Sequence, residues 1–100
     1  MIPATLEIAV TQDDIARGEV KDCERCAVAL AALRAGKAAG IPADTASADH
    51  CIIALGTRTP AGFEAVVRYA TPLALSDWIE RFDNFEHVPP IIFTCGRYSR

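Results

Sequence analysis

Long apolar runs are missing from this sequence. No stretch approaches the ~20 consecutive apolar residues that a membrane-spanning helix needs. An excess of basic charge is missing too. Ten Lys and Arg stand against thirteen Asp and Glu, for a net charge of -3. That excludes the basic stripe of a general nucleic-acid binder, and the acidity is too weak for a DNA mimic. The opening MIPATLEIAV has no basic residue ahead of its apolar run and carries Glu7 inside it. It does not read as a signal peptide, so a cytosolic setting is expected, with thiols reduced or bound to metal.

Catalytic signatures are also absent. There is no G-x-G-x-x-G, no phosphate-binding loop and no G-x-S-x-G. Zinc deaminases need H-x-E and P-C-x-x-C, and neither half occurs. A covalent haem site needs a histidine directly after C-x-x-C, but Ala27 follows Cys26. With two histidines in the chain, His50 and His87, a Cys–His nucleophile pair has little to draw on. No catalytic residue is assigned, and an enzyme is not expected.

What is present suits one domain spanning residues 1–100. Leu6, Ile8 and Val10 alternate with Glu7 and Ala9 and predict a half-buried first strand. Thr11 with Asp14 three residues on predicts a capped short helix, closed by Gly18. Asp22 then reads as the cap of an alanine-rich helix, with Cys23, Cys26, Ala27, Leu30 and Leu33 on one stripe and Gly36 or Gly40 as the stop. IPADTASAD reads as a polar loop. HCIIALGT and FEAVVRYA read as a hairpin turned at TPAG, with Phe63, Ala65, Val67 and Tyr69 on one face. Ser76 is expected to cap a helix carrying Leu75, Trp78, Ile79, Phe82 and Phe85 at i, i+3, i+4, i+7 spacing. IIFTC reads as a last short strand before a basic tail, GRYSR. The fold class is α+β, in the order β-α-α-β-β-α-β, with helices on one face of a sheet of three or four strands.

Cys23 and Cys26 admit three readings. A zinc site needs two further ligands, and His50, Cys51, His87 and Cys95 are the candidates. None makes a second short-spaced pair, and adjacent His50 and Cys51 point to opposite faces of a strand. A redox pair at a helix N-terminus is the second reading, opposed by the flanking acids Asp22 and Glu24. The third is structural: reduced cysteines pack as small apolar residues, and all four occupy positions where a core residue is expected. This third reading is preferred, so no cofactor is expected, with zinc as the alternative.

TQDDIARGE is similar to the second helix of a helix-turn-helix, but a strand precedes it and no recognition helix follows. Asp77, Glu80, Asp83 and Glu86 line the polar side of the third helix region as solvated charges. Arg58, Arg68, Arg97 and Tyr98 suit an anionic ligand such as a nucleotide, though the sequence does not bring them together. Phe85, Pro89, Pro90 and Tyr98 are candidate interface residues, since exposed apolar and aromatic patches mark interaction sites.

The chain resembles a loose group of short proteins encoded by tailed phages and prophages. The likeness lies in a "VTxxxIxxG" segment (Val10 to Gly18), in Cys26-Ala-Val-Ala-Leu opening a helix, and in Trp78, Ile79, Phe82 and Asp83 followed by the prolyl strand from Val88 to Phe93. Ala27 departs from the proline frequent there in the group. The resemblance implies a small accessory or virion-associated protein, located in the host cytoplasm or the phage particle. It brings no catalytic residues. The expected activity is non-enzymatic, through a protein partner or self-association, with no membrane and no nucleic acid. A zinc or thiol-redox domain and a small-anion sponge are the alternatives.

Overall fold

Period-two alternation builds the first strand, β1 (Thr5–Val10). It buries Leu6, Ile8 and Val10 and leaves Thr5, Glu7 and Ala9 in solvent. The structure, a computed structural model, describes residues 2–98. The last two residues of the expected basic tail, Ser99 and Arg100, lie outside them. Helix α1 (Gln12–Arg17) opens on a complete capping box. The Thr11 hydroxyl accepts the Asp14 N–H at 3.2 Å, and the Asp14 carboxylate accepts the Thr11 N–H at 2.9 Å. Gly18 ends it, as expected.

Helix α2 (Ala27–Ala38) begins four residues later than the sequence suggested. Its N-cap is Cys26, not Asp22. The Asp22 carboxylate instead accepts the N–H groups of Glu24 and Arg25, at 3.0 and 3.1 Å, and closes a separate turn. Cys23 therefore leaves the helical stripe and is exposed, while Ala27, Val28, Ala29, Ala31 and Ala32 make the buried face. The helix ends at Ala39, followed by Gly40 at φ 82°, with the Ile41 N–H on the Gly36 carbonyl at 2.9 Å.

The expected polar loop holds a strand, β2 (Thr45–Ala48). Its apolar side is only Ala46 and Ala48, too small to stand out among Thr, Ser and Asp. It pairs antiparallel with β3 (Ile52–Thr59), which starts later than expected. The Asp49 carboxylate accepts the N–H groups of Cys51 and Ile52, at 2.8 and 2.7 Å, and holds His50 and Cys51 in the connecting turn. Pro60 and Ala61 turn the chain into β4 (Gly62–Ala70).

One bulge alters the predicted facing of β4. Leu55 pairs with Val67 but Gly56 with Ala65, which leaves Val66 as an extra residue. Partners share a face, so Phe63 and Ala65 lie on the side opposite Val67 and Tyr69. Helix α3 (Leu73–Asp83) starts at Pro72 rather than Ser76. The Leu75 and Ser76 N–H groups already reach the Pro72 carbonyl, at 3.0 and 2.9 Å. Leu75, Trp78, Ile79 and Phe82 are buried as predicted, and the Trp78 and Phe82 rings stack with centroids 5.5 Å apart.

β5 (Ile91–Gly96) runs antiparallel to β1, from Thr5 opposite Gly96 to Val10 opposite Ile91. Instead of one sheet of three or four strands there are two, β1-β5 and β2-β3-β4. A bridge between Tyr69 and Arg97 joins them, with the Tyr98 N–H on the Arg68 carbonyl at 2.9 Å. The order is β-α-α-β-β-β-α-β, mixed α+β. The inward residues of all five strands share one core with the three helices, so helices cover one face only. Among the described residues, no helix is long and apolar enough to cross a membrane.

Candidate functional site

Three segments meet at one end of the helix layer: the turn before α2, the turn before β3, and the second half of α3. Between them lies a cleft of about 220 Å³, walled by Lys21, Asp22, Cys23, Cys26, His50 and Asp83 among others. Local chemistry fixes each wall. Lys21 takes a left-handed φ of 59°, and its N–H donates to the Asp83 carboxylate at 2.9 Å. The Cys23 carbonyl accepts the Ala48 N–H at 2.7 Å, which ties the turn to β2. The Cys26 sulfur caps α2 by accepting the Ala29 N–H at 3.5 Å, and burial pushes its thiol pKa up. The His50 Nδ1 lies 3.0 Å from the Ser76 hydroxyl.

The structure therefore gathers Cys23, Cys26 and His50 but not the other candidates. Cys51 is exposed in the turn, outside the cleft wall. Cys95 is buried in β5, where its S–H donates to the Leu6 carbonyl at 3.4 Å and desolvation raises its pKa to about 11. His87 is exposed between α3 and β5. The expectation that all four cysteines are core residues holds for Cys26 and Cys95 and fails for Cys23 and Cys51, which sit in turns. Among the described residues, no three His, Cys, Asp or Glu side chains assemble as a metal-holding group.

A second feature is the outer face of the sheets. Strand parity places Glu7 and Ala9 of β1, Ile92, Thr94 and Gly96 of β5, and Arg68 and Ala70 of β4 there. All seven are exposed. Glu7 is the one carboxylate that the described strands put on this face. At its β5 entry, Pro90 and Ile92 join Ala9 in an open apolar hollow of about 500 Å³. Tyr98, 45 % exposed, lies beside Arg68 at the far end.

The interface candidates thus divide. Pro90 and Tyr98 flank the outer face, whereas the Pro89 carbonyl accepts the Trp78 indole N–H at 2.8 Å and Phe85 ends α3. The four anion-binding candidates divide as well. Tyr98 meets Arg68, but Arg97 alternates to the other side. Arg58 pairs with Glu24 and stands opposite Phe63, about 16 Å along β4 from Arg68. The outer face had a signal in the sequence: the positions between the core residues of β1 and β5 are mostly small. In comparisons with known proteins, no family model, no curated protein and no solved structure matches the chain.

Proposed function

We propose that this protein acts by protein–protein interaction and that its partner is a second copy, bound face to face through the uncovered sheet surface. The setting we propose, a phage accessory or virion-associated protein, rests on the sequence resemblance. One observation carries the interaction: a helix-free face on which the described strands put one carboxylate, Glu7, and set apart from it a cation, Arg68, that forms no ion pair with a described residue. Glu7 stands opposite Thr94 and Arg68 beside Tyr98, so they are four residues apart along β5, with β5 between their strands. That is about 13 Å along and about 10 Å across. Gly96 lies midway. A two-fold axis over Gly96 brings Glu7 of each copy to Arg68 of the other, the self-complementary arrangement of a cyclic dimer. A Cβ built on Gly96 meets no atom within 4 Å, so the backbones can approach closely there.

The face spans about five strands by six residues, or roughly 480 Å² in projection. Stable complexes bury about 800 Å² per partner, so the association is weak and concentration-dependent. Sedimentation equilibrium tests it. The wild type is expected to shift from monomer to dimer across the micromolar range. Gly96→Arg fills the axis and Glu7→Arg opposes like charges, and both are expected to stay monomeric with unchanged circular dichroism. Adding Arg68→Glu to Glu7→Arg restores opposite signs and the dimer. A wild type that stays monomeric throughout, or a Gly96→Arg protein that dimerises equally well, overturns the reading.

A further inference from the structure

We infer that Cys23 and Cys26 form a thiol–disulfide exchange site, at which Cys23 reacts with a low-molecular-weight disulfide such as glutathione disulfide and Cys26 resolves the adduct. The observation is separate from the sheet face: two thiols three residues apart, one exposed and one 4 % exposed, wall the same open cleft. A turn closed by the Arg25 N–H on the Asp22 carbonyl, at 3.2 Å, holds Cys23 just ahead of the Cys26 helix cap. Cys51 is exposed like Cys23 but is not among the residues that wall the cleft.

The cleft supports the chemistry by its access. It is open to a small disulfide at Cys23. The acids around the cleft are held by hydrogen bonds and one ion pair, Asp22 by the Glu24 and Arg25 N–H groups, Asp49 by the Cys51 and Ile52 N–H groups, Asp83 by the Lys21 N–H and Glu24 by Arg58, but they keep their charge, and that of Asp83 opposes the Cys26 thiolate. His50 walls the same cleft, with its Nδ1 3.0 Å from the Ser76 hydroxyl.

The step balances without a further co-reactant. The Cys23 thiolate attacks one sulfur of glutathione disulfide, which breaks that S–S bond and expels one glutathione thiolate. Cys26, once deprotonated, attacks the Cys23 sulfur and expels the second glutathione. Two protein thiols are oxidised to one disulfide, and one glutathione disulfide is reduced to two thiols. Burial raises the Cys26 pKa, and the charges of Asp83 and Cys23 add to the rise, so the resolving step accelerates with pH.

Mass spectrometry of the reduced protein after exposure to glutathione disulfide tests this. The wild type is expected to form a disulfide mapped to Cys23 and Cys26 and to retain no glutathione on either of them. Cys26→Ser keeps a good helix cap and is expected to hold one glutathione on Cys23. Cys23→Ser is expected to form no disulfide at Cys26 and to hold no glutathione there. Thermal melts of both variants confirm that they are folded. Glutathione retained on Cys23 of the wild type at alkaline pH, modification of Cys51 ahead of Cys23, or disulfide formation in Cys23→Ser overturns the inference.

Discussion

At the scale of single residues, one buried charge ties three elements together. Asp14 is 3 % exposed and caps α1. It also receives Arg34 in a two-point contact, Nη1 to Oδ1 at 2.8 Å and Nη2 to Oδ2 at 2.6 Å. The same Nη2 reaches the Ala9 carbonyl on β1 at 2.9 Å. These donors, led by Arg34, hold the Asp14 carboxyl below its ordinary value of 3.8. A carboxyl depressed on folding contributes stability above its unfolded pKa and loses it as pH falls through the lower, folded value. Melting temperature is therefore expected to drop as pH is lowered below about 4, and Asp14→Asn is expected to flatten that drop. Arg34→Ala leaves the buried carboxylate without its partner and is expected to cost about 1–3 kcal/mol in urea unfolding at neutral pH. Arg34→Lys recovers part of that, because an ammonium cannot reproduce the fork.

At the scale of elements, the two longer helices end in the same way with different residues. α2 turns out at Gly40, in a left-handed conformation that glycine adopts freely. α3 does so at Phe85, φ 62°, with the Phe85 N–H on the Phe82 carbonyl at 3.1 Å and the Glu86 N–H on the Arg81 carbonyl at 3.0 Å. Phe85 is 77 % exposed, so its side chain offsets little of the left-handed strain of about 1–2 kcal/mol. Phe85→Gly is expected to raise the melting temperature by several degrees in calorimetry. Gly56 has the opposite sign. A Cβ there lies 2.1 Å from the Glu64 carbonyl oxygen, a backbone atom held by the strand pairing at the bulge. Gly56→Ala is expected to cost more than about 2 kcal/mol or to abolish the β3–β4 register, read as lost near-ultraviolet dichroism.

Elements also mark where sequence reasoning succeeds. β1, the α1 capping box and the buried stripe of α3 each follow from strong periodicity or a reciprocal cap. β2 does not, because two alanines supply its whole apolar face. The starts of α2 and α3 differ from the sequence expectation for the same reason. Asp22 and Ser76 are good capping residues, but Asp22 caps a turn of its own and Ser76 lies inside a helix that Pro72 had already begun. The bulge at Val66 leaves no mark in the sequence, because both halves of β4 alternate correctly on either side of it.

At the scale of the whole molecule, the fold has two sides with different chemistry. The spacing of Cys23 and Cys26 was legible, but their difference in exposure and the arrival of His50 depend on turns that tertiary structure sets. The outer face needs the sheet order, which places β5 between Glu7 and Arg68. The thiol cleft belongs to the helix layer, beside Ala48 on the inner side of β2, whereas Gly96 and its neighbours look out from the opposite face. The two sites share no residue, and the strands lie between them, so their effects are expected to add independently. Oxidation of Cys23 and Cys26 is expected to leave the monomer–dimer equilibrium unchanged, and Gly96→Arg is expected to leave the rate of glutathione exchange unchanged. Sedimentation of reduced and oxidised protein at one concentration, with exchange kinetics of both sequences, measures both couplings. Coupling between the sites is reciprocal: if oxidation weakened the dimer, dimer formation would have to disfavour the disulfide by the same factor. Such a result would place a shared movable element between the cleft and the face, and the turn that ties Cys23 to Ala48 at the edge of β2 is where it would lie.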